Sequence, residues 1–66
     1  MNWKQVRNNW GTVGPSFHAK WDKLTDDDLE SIAGKRHVLV SRLRKLYAME
    51  RKAAELATED FIKTLS

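Results

Sequence analysis

The chain has 66 residues, 41% of them hydrophobic and 32% charged, with no cysteine and a formal charge of +3. That is one small domain near the lower limit for folding without staples. The missing thiols exclude a disulfide framework and a cysteine zinc site, and fit a reducing cytoplasm. No apolar run reaches the length of a signal-peptide core or a membrane span, so no membrane is expected.

The charge is unevenly spread. Residues 1–23 carry four basic and one acidic side chain, residues 24–34 four acidic and none basic, residues 35–52 seven basic and one acidic, and residues 53–66 one basic and three acidic. The block from Lys35 to Lys52 is the strongly basic part of a mosaic.

In chain order, Asn2 suits an N-cap, and Trp3, Val6, Trp10, Val13, Phe17, Trp21 and Leu24 follow at steps of three and four. Periodicity alone would permit one helix over 3–24. Gly11 and the Gly14-Pro15 pair argue for two, roughly 2–10 and 15–22, because Pro15 has no N–H for the Gly11 carbonyl and is well tolerated at a first helical position. The bend keeps the tryptophans on one side, where three indoles burying on the order of 200 Å² each help to fill a modest core.

The next helix spans about 25–33. Thr25 is placed to accept from the Asp28 amide. Asp26, Asp27 and Asp28 fill the first turn, where carboxylates meet the positive end of the helix dipole. Leu29, Ile32 and Ala33 form a short apolar face, and Gly34 is the residue free to take a left-handed stop.

After Gly34, Leu39, Leu43, Leu46 and Tyr47 share one side of a helix, with Val40 at its edge. Lys35, His37, Ser41, Arg42, Arg44 and Lys45 take the other, and Val38 lies among them as an apolar residue on a basic face. No Gly or Pro interrupts the rest, so Leu39, Leu43, Leu46, Met49, Ala53, Ala57, Phe61 and Leu65 form a stripe that could run unbroken. A helix over 35–65 would be roughly 45 Å long, whereas a compact chain of this length has a radius of gyration of about 11 Å. A turn near Ala48-Met49-Glu50 is therefore expected for a monomer. An uninterrupted helix would instead suit a dimer. No strand is expected.

Met1-Asn2-Trp3, Trp10, Trp21, the run Leu24-Thr25-Asp26-Asp27-Asp28-Leu29, Ile32, Gly34-Lys35-Arg36, Leu39-Val40, Tyr47, Ala54-Glu55 and Phe61 together resemble the CsbD-like family of small bacterial stress-response proteins, over essentially the whole chain. The resemblance implies an all-α fold, a small compact bundle of four to five short helices similar to the SAM-domain-like pair of crossed helical hairpins. It further implies induction under general stress, no enzymatic activity and no cofactor. Departures from the family pattern are Gly11-Thr12-Val13-Gly14-Pro15 where a Lys-rich stretch is usual, Ala48 where Gly often follows Tyr, and His37-Val38 where Asp-Gln is common.

Candidate sites are few. Ser16, His18 and Asp22 are the residue types of a hydrolytic triad, but residues two apart on a helix diverge. His18 and Asp22 share a face, yet two ligands do not hold zinc, and the aspartate run lacks the spacing of a calcium loop. The tryptophans with Phe17 fit a core stripe better than a stacking platform for single strands. The sharper candidates are Lys35, Arg36, Arg42, Arg44 and Lys45 as a nucleic-acid or partner contact, with Gly34-Lys35-Arg36 as a helix-hairpin-helix-like phosphate grip. A protein-interaction module or homodimer through the helix after Gly34 is the third reading.

Overall fold

Local signals set where the first and third helices begin. The computed structural model describes residues 1–65, leaving Ser66 of the expected domain outside the described residues, and holds five helices: α1 (Trp3–Asn8), α2 (Trp10–Lys20), α3 (Asp26–Ile32), α4 (Arg36–Tyr47) and α5 (Arg51–Lys63). Asn2 caps α1 through a reciprocal box with Gln5, its side-chain oxygen accepting from the Gln5 amide at 2.9 Å while Gln5 Oε1 accepts from the Asn2 amide at 3.0 Å. Thr25 and Asp28 do the same for α3, the Asp28 amide donating to Thr25 Oγ1 at 3.2 Å and the Thr25 amide to Asp28 Oδ2 at 3.1 Å.

The break between the first two helices lies at Asn9, correcting the expected break at Gly11–Pro15. Pro15 sits inside α2. Two observations explain how. Gly11, whose carbonyl loses its partner, is exposed, so solvent can take that acceptor. Gly14, the residue before the proline, has no Cβ to clash with the ring. At Asn9, the end of α1, the side-chain amide joins the residue's own backbone N–H on the Gln5 carbonyl, at 2.8 and 3.0 Å. The Asn9 carbonyl then accepts from Thr12 and Val13, both at 2.9 Å, so α2 starts at once.

The turns after α3 and α4 are left-handed. Ala33 ends α3 at φ 46°, Gly34 follows at φ 81°, and Ala48 ends α4 at φ 52°. The expected turn at Ala48-Met49-Glu50 is present, and the molecule extends 27 × 23 × 18 Å with a radius of gyration of 10.5 Å. An alanine at positive φ is strained by about 1–2 kcal/mol that glycine avoids, offset in part by the extra freedom of an unfolded glycine. Ala48→Gly is expected to raise stability by about 0.5–1 kcal/mol, read as a higher urea midpoint with unchanged slope; a lowered midpoint would contradict the strain.

The core is aromatic at its centre. Phe17 is wholly buried and meets Phe61 at 4.9 Å between ring centroids, Trp10 at 5.1 Å, Trp21 at 6.1 Å and Trp3 at 6.3 Å. The aliphatic side chains of Val6, Leu24, Ile32, Leu39 and Leu43 complete it. Two indoles also fasten α1 and α2 onto the α3 region: Trp3 Nε1 donates to the Gly34 carbonyl and Trp10 Nε1 to the Leu29 carbonyl, both at 2.9 Å. These bonds satisfy the polar edge of each ring where its body is packed.

Two expectations for the C-terminal half are corrected. Of the expected stripe, Met49, Ala57, Phe61 and Leu65 pack against the core, but Ala53 is exposed and the fully buried positions of α5 are Ala54, Thr58 and Ile62, one residue further on. Thr58 is tolerated inside because its hydroxyl donates to the Ala54 carbonyl at 2.9 Å. Val38, expected to stand free on the basic face, is half-buried and packs against the core. The large apolar side chain left exposed, among the described residues, is Leu56 on α5.

Candidate functional site: the basic seam between α4 and α5

Three of the groups that suggested catalysis or metal binding, His18, Asp22 and Asp28, are engaged in holding the chain together. The α2 helix ends at Lys20, so His18 and Asp22 do not share a face. His18 Nδ1 lies 2.5 Å from the Leu24 carbonyl and donates to it, closing the connection between α2 and α3. Asp22 Oδ1 accepts from the Tyr47 hydroxyl at 3.4 Å, and that hydroxyl accepts from the Lys23 amide at 3.1 Å. Lys23 Nζ lies 5.1 Å from the centre of the Tyr47 ring and 3.4 Å from the Leu46 carbonyl, so the end of α4 is clamped to the 21–25 connection. Of the three aspartates that open α3, Asp28 is used twice, in the capping box and in an ion pair with Arg42 at 3.4 Å.

The five basic residues singled out by the sequence divide into two groups. Arg42 faces α3 and is paired with Asp28. Arg36 faces α5, where it reaches Glu59 at 3.1 Å and Glu55 at 3.7 Å. Lys35, Arg44 and Lys45 are exposed and make no ion pair among the described residues. The five therefore form no continuous stripe.

The turn of the proposed hairpin is covered. Gly34 is buried beneath α1, and a Cβ built on it would lie 2.9 Å from Arg7 Cγ and 3.0 Å from Arg7 Cα. Its carbonyl is taken by Trp3, the Lys35 amide donates to the Ile32 carbonyl at 2.7 Å, and the Ala33 amide to Leu29 at 3.0 Å. Those two amides of the turn are engaged inside the protein rather than presented to a ligand.

What the tertiary structure adds is a seam. Where α4 and α5 pack, Arg36, His37, Ser41 and Arg44 of α4 face Arg51 and Glu55 of α5 across a cleft of about 230 Å³. Glu55 lies between two arginines, 3.7 Å from Arg36 and 4.0 Å from Arg51. The one part of this legible in the sequence is the Arg51–Glu55 spacing of four residues on a helix. The meeting of Arg36 and Arg44 with Arg51 depends on how α5 folds back, which no local signal records.

A five-helix bundle with an aromatic centre and a basic seam defines a small all-α protein whose distinctive chemistry lies on its surface. The chain is 46% identical over 55 residues to a UPF0337 protein of Pectobacterium atrosepticum, covering 83% of this chain and 80% of that one. It is 36% identical over 61 residues to a UPF0337 protein of Protochlamydia amoebophila, covering 92% of each, and 34% identical over 61 residues to the UPF0337 protein YjbJ of Escherichia coli, covering 92% and 88%. The chain belongs to the UPF0337 family. No family model matches the chain, and no solved structure matches it.

Proposed function

We propose that the chain is a CsbD-like general stress-response protein of the bacterial cytoplasm, without catalytic activity, that acts through its surface. The observation that carries this reading is the use made of its reactive side chains: His18, Asp22, Asp28 and Tyr47 are each committed to a contact that joins one helix to another or caps one. The resemblance centred on Leu24 to Leu29 and Gly34-Lys35-Arg36 supplies the stress-response part. The helix-hairpin-helix reading has less support, because the Gly34 turn lies under Arg7 and the Trp3 ring.

The test is abundance and survival in the bacterium that encodes the chain. Quantitative mass spectrometry is expected to show a several-fold rise from exponential growth to stationary phase or osmotic stress, and a deletion strain to survive that stress less well until the gene is restored. Constant abundance across these conditions with unaltered survival would refute the reading.

A further inference from the structure

The charges at the start of α4 and of α5 run against what their own helices prefer. Both elements are long, at 12 and 13 residues, and neither has an acidic residue in its first turn or a side-chain cap. Arg36 and His37 open α4, and Arg51 and Lys52 open α5. Cations at a helix N-terminus oppose the dipole, so helix stability does not account for them. Three of these four side chains, Arg36, His37 and Arg51, line the same cleft, joined there by Arg44 and the Ser41 hydroxyl.

We infer that this cleft is a binding site for a phosphoryl group, and that Glu55 occupies it in the ligand-free protein as an internal substitute for the anion. Three guanidinium groups line the cleft against the one lining carboxylate, Glu55, while Glu59 answers Arg36 from beside the cleft at 3.1 Å. That carboxylate reaches two of them at 3.7 and 4.0 Å, long for charge-assisted hydrogen bonds, which close to about 2.7–2.9 Å. Arg44 has no acidic partner among the described residues, and Arg36 Nε is shielded from solvent with no acceptor. The site thus holds more positive charge and more donors than its resident carboxylate satisfies. A phosphoryl group supplies anionic oxygens for the donors of Arg44, Arg51 and Arg36 Nε that the carboxylates leave over. It brings acceptor oxygens in the geometry that arginine forks recognise, and the Ser41 hydroxyl and His37 ring add further donors. No Trp, Tyr or Phe lines the cleft and His37 is its one aromatic ring, so the recognition rests on the arginines rather than on a stacking platform. What is recognised is the phosphoryl oxygens, carried by a free phosphorylated molecule or by a nucleic-acid backbone.

Pyrophosphate is the probe, titrated into the isotopically labelled full chain at 0.15 M NaCl and followed by amide NMR. Saturable shifts are expected at Arg36, His37, Ser41, Arg44 and Arg51. Arg44→Ala with Arg51→Ala is expected to weaken binding by roughly tenfold or more, and the Lys pair of the same residues to restore part of it. Lys4→Ala with Lys20→Ala removes the same charge from exposed positions outside the cleft and is expected to change binding by less than about twofold. Glu55→Gln is expected to tighten binding, and Asp60→Asn, with the same change of charge, to leave it within about twofold. Competition by duplex DNA would assign the phosphoryl group to a nucleic-acid backbone, and its absence to a free phosphorylated molecule. Shifts scattered over the surface, equal losses in the two double variants, or equal gains in Glu55→Gln and Asp60→Asn would overturn the site.

Discussion

Gly34→Ala is expected to lower stability by about 2–4 kcal/mol, and so to remove much of what a domain of this size possesses. At roughly 0.05–0.15 kcal/mol per residue the whole chain has only about 3–10 kcal/mol to lose. Two causes act together. The residue sits at φ 81°, where any Cβ strains the backbone. The added carbon would also lie 3.0 Å from the Arg7 Cα, a main-chain atom that cannot step aside as the end of a flexible side chain can. Relief requires α1 to lift, and α1 is held at that point by the Trp3 bond to the Gly34 carbonyl. Chemical denaturation followed by far-ultraviolet circular dichroism measures the loss. Ala33→Gly, one residue earlier at φ 46°, gives the opposite sign by relieving strain. A Gly34→Ala variant within 0.5 kcal/mol of the parent would mean that α1 is not seated on this turn.

Phe17→Ala is expected to cost about 3–5 kcal/mol, the usual range for truncating a buried aromatic side chain. The ring is the point at which α1, α2 and α5 meet, touching Trp3, Trp10, Trp21 and Phe61. A chain this small has little other core over which to spread the cavity. Because the three indoles surround the lost ring, the near-ultraviolet dichroism of tryptophan should collapse before the far-ultraviolet helical signal does. Phe17→Leu keeps most of the volume and should cost about 1–2 kcal/mol, preserving the near-ultraviolet bands. Leu56→Ala, on the exposed face of α5, should stay within about 0.5 kcal/mol. Equal losses at Phe17 and Leu56 would show that the aromatic cluster is not the centre of the core.

The seam and the core differ in how they respond to solution conditions. Arg36, Glu55 and Glu59 are each at least about a third exposed, so their pairing is screened by salt and contributes little to stability. The aromatic cluster around the wholly buried Phe17 carries no charge, so salt has nothing to screen there. Charge variants in the seam are therefore expected to change ligand affinity more than folding, which makes the cleft open to mutational test.

The sequence by itself determined the helical class, the N-cap residues Asn2 and Thr25, the left-handed stop at Gly34 and the membership of Trp3, Val6, Trp10, Val13, Phe17, Trp21 and Leu24 in one core. These are local matters, fixed by side chains bonding to amides three residues away and by a period of 3.6 residues. It also bounded the length of the last helix, since a 66-residue chain has no core long enough to cover a helix running from 35 to 65. It misplaced the first break, because whether a proline ends a helix depends on whether the freed carbonyl can be solvated, and that is decided by which side of α2 faces outward. It placed Ala57, Phe61 and Leu65 of α5 against the core but put Ala53 where Ala54 is buried, since the left-handed Ala48 shifts the helix after it and alanine carries no signal for that conformation. The basic residues were legible as a block. Only the tertiary structure decided that Arg42 is answered by Asp28, that Arg36 reaches Glu59, and that Arg44 and Arg51 meet across a cleft, because charges far apart in the chain find one another only once the helices have packed.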